Sequence, residues 1–189
     1  MENKNIIKPS FLSLTTQQLA IGLTETDNIF STASGFLYSY QSKIFLITNW
    51  HNVTNRNPLT GEPIAEENGG IPDIFLTYLR LQDLNKGSEL QKIFLYEDDE
   101  LTKPKWLVHP QHKENVDVVA IEIEKQEKYR YSAVNQASFD DDIVPEIGDD
   151  CFVLGYPFSE MRYLGLPIWK KASIASEPSV NEDQLPKIL

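Results

Sequence analysis

Cysteine is nearly absent. Cys151 stands alone, so no disulfide can form within the chain, and a reducing compartment suits it. Basic residues are scarce as well. Seventeen Lys and Arg against 28 Asp and Glu leave a net charge of −11. Nucleic acid and anionic membrane surfaces select for Lys and Arg, so neither is expected as a partner. Long apolar runs are missing, and no stretch approaches the roughly 20 residues a membrane helix requires. The opening Met1-Glu2-Asn3-Lys4-Asn5-Ile6-Ile7-Lys8 lacks the apolar core of a secretory leader. The expectation is a soluble, cytoplasmic protein.

What is present is a chain of β-type runs. The hydrophobic content of 41% is ordinary for a packed core. Apolar residues recur with period two rather than 3.6. The runs predict strands over Leu19–Leu23, Gly35–Tyr40, Ile44–Asn49, Ile74–Leu81, Ile93–Tyr96, Trp106–His109, Val118–Ile123 and Cys151–Gly155. Turn signals separate them: Asn57-Pro58, Asn68-Gly69-Gly70 and Asp140-Asp141-Asp142. Tyr40-Gln41-Ser42-Lys43 is short enough to link a hairpin. Residues 54–72, rich in Pro and Gly, read as a surface loop, and the polar residues 125–142 as a connector. This pattern predicts an all-β barrel or sandwich.

Two ionisable residues stand at the margins of apolar runs. His51 closes the run Ile44-Phe45-Leu46-Ile47-Thr48-Asn49-Trp50-His51, which reads as a buried strand with the histidine at its end, and Asp117 opens Asp117-Val118-Val119-Ala120-Ile121-Glu122-Ile123. Imidazole exchanges a proton near neutral pH, which suits a general base. Asp117 shares the parity of Val119, Ile121 and Ile123, the apolar face. A carboxylate on that face needs a partner, and His51 is a natural one. The alternative puts Asp117 ahead of the strand, solvated in a turn.

These segments, taken together, resemble the trypsin-like (chymotrypsin-fold) serine peptidases, especially bacterial members without disulfides. Ser34-Gly35-Phe36-Leu37 with Thr48-Asn49-Trp50-His51-Asn52-Val53 resembles the family's Gly-Phe strand and Thr-x-x-His signature. Asn115-Val116-Asp117-Val118-Val119-Ala120-Ile121 resembles its Asp-Val-Ala-Leu strand. Gly148-Asp149-Asp150-Cys151-Phe152-Val153-Leu154-Gly155-Tyr156-Pro157 resembles the segment that begins its second barrel. The resemblance implies a chymotrypsin-like double β-barrel, the first barrel complete and the second only begun. The implied divisions are an N-terminal extension (1–9), a first barrel (10–130) carrying His51 and Asp117, a connector (131–147) and the start of a second barrel (148–189). The implied activity is endopeptidase cleavage of a peptide or protein substrate. His51 would be general base and acid, and Asp117 would orient its ring. No cofactor is implied.

The chain departs from the family at two places. Asn49 and Trp50 stand where many relatives carry small residues. The nucleophile loop, Gly-x-Ser-Gly, is missing: Ser132, Ser138, Ser159, Ser173, Ser176 and Ser179 have no glycine two before or one after. The reading is therefore a peptidase chain without its nucleophile, inactive alone. The alternative is a non-catalytic protein-binding module on a degenerate peptidase scaffold, and a third option is an unrelated β-sandwich. An incomplete second barrel predicts self-association through its last strand, or poor order after about Tyr156.

Other chemistry-bearing residues have simpler readings. Cys151, flanked by Phe152-Val153-Leu154, reads as a buried strand residue. His109-Pro110-Gln111-His112 lacks a third ligand, so no metal is expected. Glu97-Asp98-Asp99-Glu100 and Asp140-Asp141-Asp142 lack the ligand alternation of a calcium loop and read as solvated turns. Trp106 and Trp169 read as core or barrel-seam residues.

Overall fold

The structure, a computed structural model, describes residues 8–24, 28–64, 70–138, 144–158 and 165–180. A helical turn, α1 (Phe11–Thr15), leads into β1 (Thr16–Leu23), β2 (Asn28–Tyr40) and β3 (Lys43–Thr48). A second turn, α2 (Trp50–Thr54), follows directly. Then come β4 (Ile74–Arg80), β5 (Ser88–Phe94), β6 (Trp106–Val108), β7 (Val119–Ile123), β8 (Asp150–Gly155) and β9 (Ile168–Ser173). The all-β expectation holds. The first seven strands form one antiparallel sheet in the order β5-β4-β1-β2-β3-β7-β6, and β8 and β9 form a separate pair. The ladder is not closed, because β5 and β6 are its two edges. The chain between them folds back on itself, with Lys105 N–H donating to the Leu95 carbonyl at 2.8 Å.

Alternation explains the core. In β3, Ile44, Leu46 and Thr48 point inward, and in β7 so do Val119, Ile121 and Ile123. Their registers match: Ile44 lies opposite Ile123, Leu46 opposite Ile121 and Thr48 opposite Val119. Leu19, Leu37, Val53, Phe75 and Leu95 complete a fully buried cluster. Each such side chain contributes about 1.5–3 kcal/mol by leaving water. Gly35 makes the β2–β3 approach possible. A Cβ there would lie 2.8 Å from the Ile47 carbonyl oxygen and 2.9 Å from Leu46, so only glycine fits.

The Tyr40–Lys43 link is the expected hairpin, with Gln41 and Ser42 at φ of 46° and 66°. That doubly left-handed turn matches the twist of the strands it joins. Four strands differ from the sequence reading. β2 begins at Asn28, seven residues before the expected start at Gly35. β1 starts at Thr16 because Thr16, Gln17 and Gln18 are buried despite their polarity. Gln17 accepts from the Thr77 hydroxyl, and Gln18 reaches the Phe158 carbonyl. β5 lies earlier than expected, since an edge strand with mostly exposed side chains shows little apolar pattern. β9, Ile168-Trp169-Lys170-Lys171-Ala172-Ser173, was not expected as a strand, because its central lysines interrupt any apolar run. The turn signals at 68–69 and 140–142, and Ser159, lie outside the described residues.

Candidate active site

Antiparallel pairing of β3 with β7 brings the last residue of one beside the first of the other, Thr48 opposite Val119. Whatever follows β3 must therefore meet whatever precedes β7. His51 follows β3 and Asp117 precedes β7.

His51 is not on the strand itself, as the sequence suggested. It is the second residue of α2. Asn49 remains extended at φ −76° and ψ 148°, and the chain then winds for one turn until Asn55 adopts a left-handed φ of 55°. The turn is anchored on three sides. Val53 is fully buried, Trp50 packs against the core, and Asn52 donates to the buried Thr48 hydroxyl at 2.9 Å. Thr48 in turn donates to the Ser34 carbonyl at 3.0 Å. The indole of Trp50 thus belongs to the packing that fixes the turn.

Asp117 follows the bend at Val116, two residues before β7, and its carboxylate is held on both oxygens. Oδ2 lies 2.6 Å from His51 Nδ1, and Oδ1 accepts the His51 backbone N–H at 2.9 Å. Asn49 Nδ2 donates to the Asp117 carbonyl at 3.0 Å and to Oδ2 at 3.2 Å. Both readings of Asp117 are thus partly right: it precedes the strand, yet it is paired with His51. The His51 and Asp117 side chains are 35% and 28% exposed, so solvent reaches the pair and it lies outside the buried core. An ionised carboxylate only accepts, so Nδ1 must carry the ring proton toward it. Nε2 is then left with its lone pair, the arrangement a general base needs. Among the described residues no hydroxyl or thiol hydrogen-bonds to Nε2.

Among the described residues, Ser132, Ser138, Ser173 and Ser179 make no hydrogen bond to this ring. Ser132 is buried and is contacted by Arg130 Nε at 3.4 Å, while Ser138, Ser173 and Ser179 are exposed. Cys151 is free and half-buried in β8, less covered than expected, because β8 has only β9 beside it. His109 uses Nδ1 to accept the Gln111 and His112 backbone N–H groups, at 3.3 and 3.1 Å, and so builds a turn. Asp98 likewise closes its own turn. It accepts from the Thr102 hydroxyl and from the Thr102 and Lys103 N–H groups, bonds that hold its carboxyl below the usual range. Among the described residues no three His, Cys, Asp or Glu side chains gather as a metal site. No helix among them is long and apolar enough to cross a membrane.

A second polar cluster, which the sequence did not announce, joins the β8–β9 pair to the sheet. Tyr156 N–H donates to Ser34 Oγ at 2.9 Å. The Tyr156 hydroxyl donates to the Gly165 carbonyl at 2.7 Å and lies 3.0 Å from Thr16 Oγ1. Arg80, only 6% exposed, donates to the carbonyls of Leu14 at 3.0 Å, Thr16 at 3.2 Å and Gly165. Burial lowers the Arg80 pKa, opposed by nearby Tyr156. Burial also raises the Tyr156 phenol, opposed by its bond to Thr16 and by Arg80. Trp169 Nε1 donates to Ser13 Oγ at 2.8 Å, which makes Trp169 a seam residue, though an exposed one. Trp106 packs edge-on against Tyr96, with ring centroids 5.1 Å apart, beside the core.

No protein-family model matches the chain, and no curated protein matches it significantly.

Proposed function

We propose that this chain carries the base-and-orienter half of a trypsin-like serine endopeptidase, His51 as general base and acid and Asp117 as its orienter. The single observation that carries this reading is the 2.6 Å contact between His51 Nδ1 and Asp117 Oδ2, reinforced by Asp117 Oδ1 on the His51 N–H. In such chemistry Nε2 takes the proton of an attacking serine hydroxyl and later gives it to the leaving amine. Asp117 keeps the ring in the required tautomer and stabilises the imidazolium. The 189-residue chain has no serine in a Gly-x-Ser-Gly loop, and it is inert by itself on this reading. A double-barrel architecture belongs to the same proposal. The return of the chain between the sheet's edges and the packing of Trp106 on Tyr96 support a curled first unit.

The rival reading, a protein-binding module on the same scaffold, is favoured by a row of exposed aromatics on β2: Phe36, Tyr38 and Tyr40. Labelling with a fluorophosphonate separates the two. The 189-residue chain should stay unlabelled, and any longer gene product should be labelled at one serine, with labelling lost in His51→Ala. A gene product that no fluorophosphonate labels would favour the binding module.

A further inference from the structure

We infer that Asn49 is a positioning residue for the pair, and that it selects the His51 tautomer. The inference rests on the reading of His51 as a base.

Asn49 donates through one nitrogen to two oxygens of the same residue, the Asp117 carbonyl at 3.0 Å and its carboxylate Oδ2 at 3.2 Å. Both acceptors lack hydrogens, so the amide must present its nitrogen and not its oxygen to them. The fork ties the Asp117 side chain to its own backbone. That matters because the terminal torsion of an aspartate is soft and roughly two-fold.

The lone pairs can be followed individually. Each carboxylate oxygen offers about two acceptor positions. Oδ2 receives His51 Nδ1 and Asn49 Nδ2, so it is saturated. Oδ1 receives the His51 N–H. With Asn49 in place the carboxylate cannot swing without breaking several bonds, and Nδ1–H has one fixed acceptor. Without it, Oδ2 has an open position to water, the carboxylate is held only by the His51 N–H and ring, and the ring's preference for the Nδ1–H form weakens. Asn49 makes no side-chain bond to the helix it precedes, so capping does not explain it. It is also exposed, so burial does not explain it.

The test is nitrogen NMR on the 189-residue chain labelled at histidine. His51, His109 and His112 are the only histidines, and His51→Gln assigns the signal. Spectra are taken near pH 9, where imidazole is neutral. The wild-type chain should show His51 as the Nδ1–H form with a downfield Nδ1 proton. In Asn49→Ala and Asn49→Asp the ratio of Nδ1–H to Nε2–H should fall about tenfold, the scale of one hydrogen bond to a charged group. Amide spectra of both variants should otherwise match wild type; both residues are tolerated at an exposed helix-flanking position, and Asp is a favoured one. If the wild type shows Nδ1–H and both variants keep it unchanged, the role of Asn49 is overturned and the pair survives. If the wild type itself shows Nε2–H, the reading of the pair falls, and this inference with it.

Discussion

The seven-stranded sheet and the β8–β9 pair are held by different physics. In the sheet, residues of successive strands meet on one face and leave water: Leu19, Leu37, Leu46, Phe75, Leu95 and Ile121 are all essentially unexposed. In the pair, Phe152 and Val153 are 56% and 57% exposed, and none of its strand residues is fully buried. Directional bonds to α1, β1, β2 and β4 fix it instead, through Trp169 to Ser13, Tyr156 to Thr16 and Ser34, and Arg80 to Gly165. Burial is non-directional and accumulates over many residues, whereas a polar anchor depends on a few atoms. The difference teaches why the candidate site sits where it does. His51, Asn49 and Asp117 all flank strands of the apolar-built sheet, whose register fixes them to within a hydrogen bond.

Emptying the core should have the largest effect. Phe75→Ala should cost about 3–5 kcal/mol and lower the denaturation midpoint of the whole chain, read by urea unfolding. A smaller loss would mean that Phe75 is less essential than its burial implies.

A cut at the seam should be smaller and local. Tyr156→Phe removes the bonds to Gly165 and Thr16, worth about 1–2 kcal/mol together. Hydrogen exchange should speed up in residues 150–155 and 168–173 and stay unchanged in 44–48. Equal acceleration in both regions would erase the distinction and make the chain one cooperative unit. Alkali sharpens the same test. The folded phenol is raised, so its stabilising contribution is complete below the ordinary tyrosine value near pH 10 and is lost as pH rises through the folded value. The β8–β9 pair of the wild type should therefore loosen in that window, and that of Tyr156→Phe should not respond.

The smallest effect lies on the sheet's own edge. Glu89 on β5 accepts from Lys128 Nζ and from the Tyr129 hydroxyl, each at 2.7 Å. Lys128 holds the carboxyl below its usual range, with Tyr129 adding to it. The lysine is in turn pushed up to about 12 by Glu89. A lowered carboxyl stabilises above its ordinary value near pH 4.3 and loses that contribution as pH falls through the folded value. Glu89→Gln should thus lower the thermal midpoint slightly at pH 7, with no difference from wild type in strong acid. Exposed pairs contribute little, and a gap that persists in acid would point to packing rather than charge.

The sequence carried much of this, unevenly. The inward stripes of β3 and β7 were legible because each alternates apolar residues along a half-buried strand, and His51 and Asp117 were legible as ionisable residues just outside those stripes. The turn that carries His51 was not, since five residues, Trp50–Thr54, are too few to show a helical period. β9 and the first part of β5 were hidden because exposed strands need no apolar run. Arg80 and Tyr156 were invisible as a pair, since nothing local ties residue 80 to residue 156. Asn49 was visible only as an oddity; its meaning appears once the register sets it against Asp117.

On the proposed reading, His51 Nε2 is left open to receive the proton of a nucleophile. The most direct measurement is a crystal structure of the gene product in its natural extent. The account predicts one serine hydroxyl within about 2.6–3.2 Å of His51 Nε2, allowing some looseness without substrate, with Asp117 still on Nδ1. A complete product in which no hydroxyl or thiol comes within reach of Nε2 would contradict it.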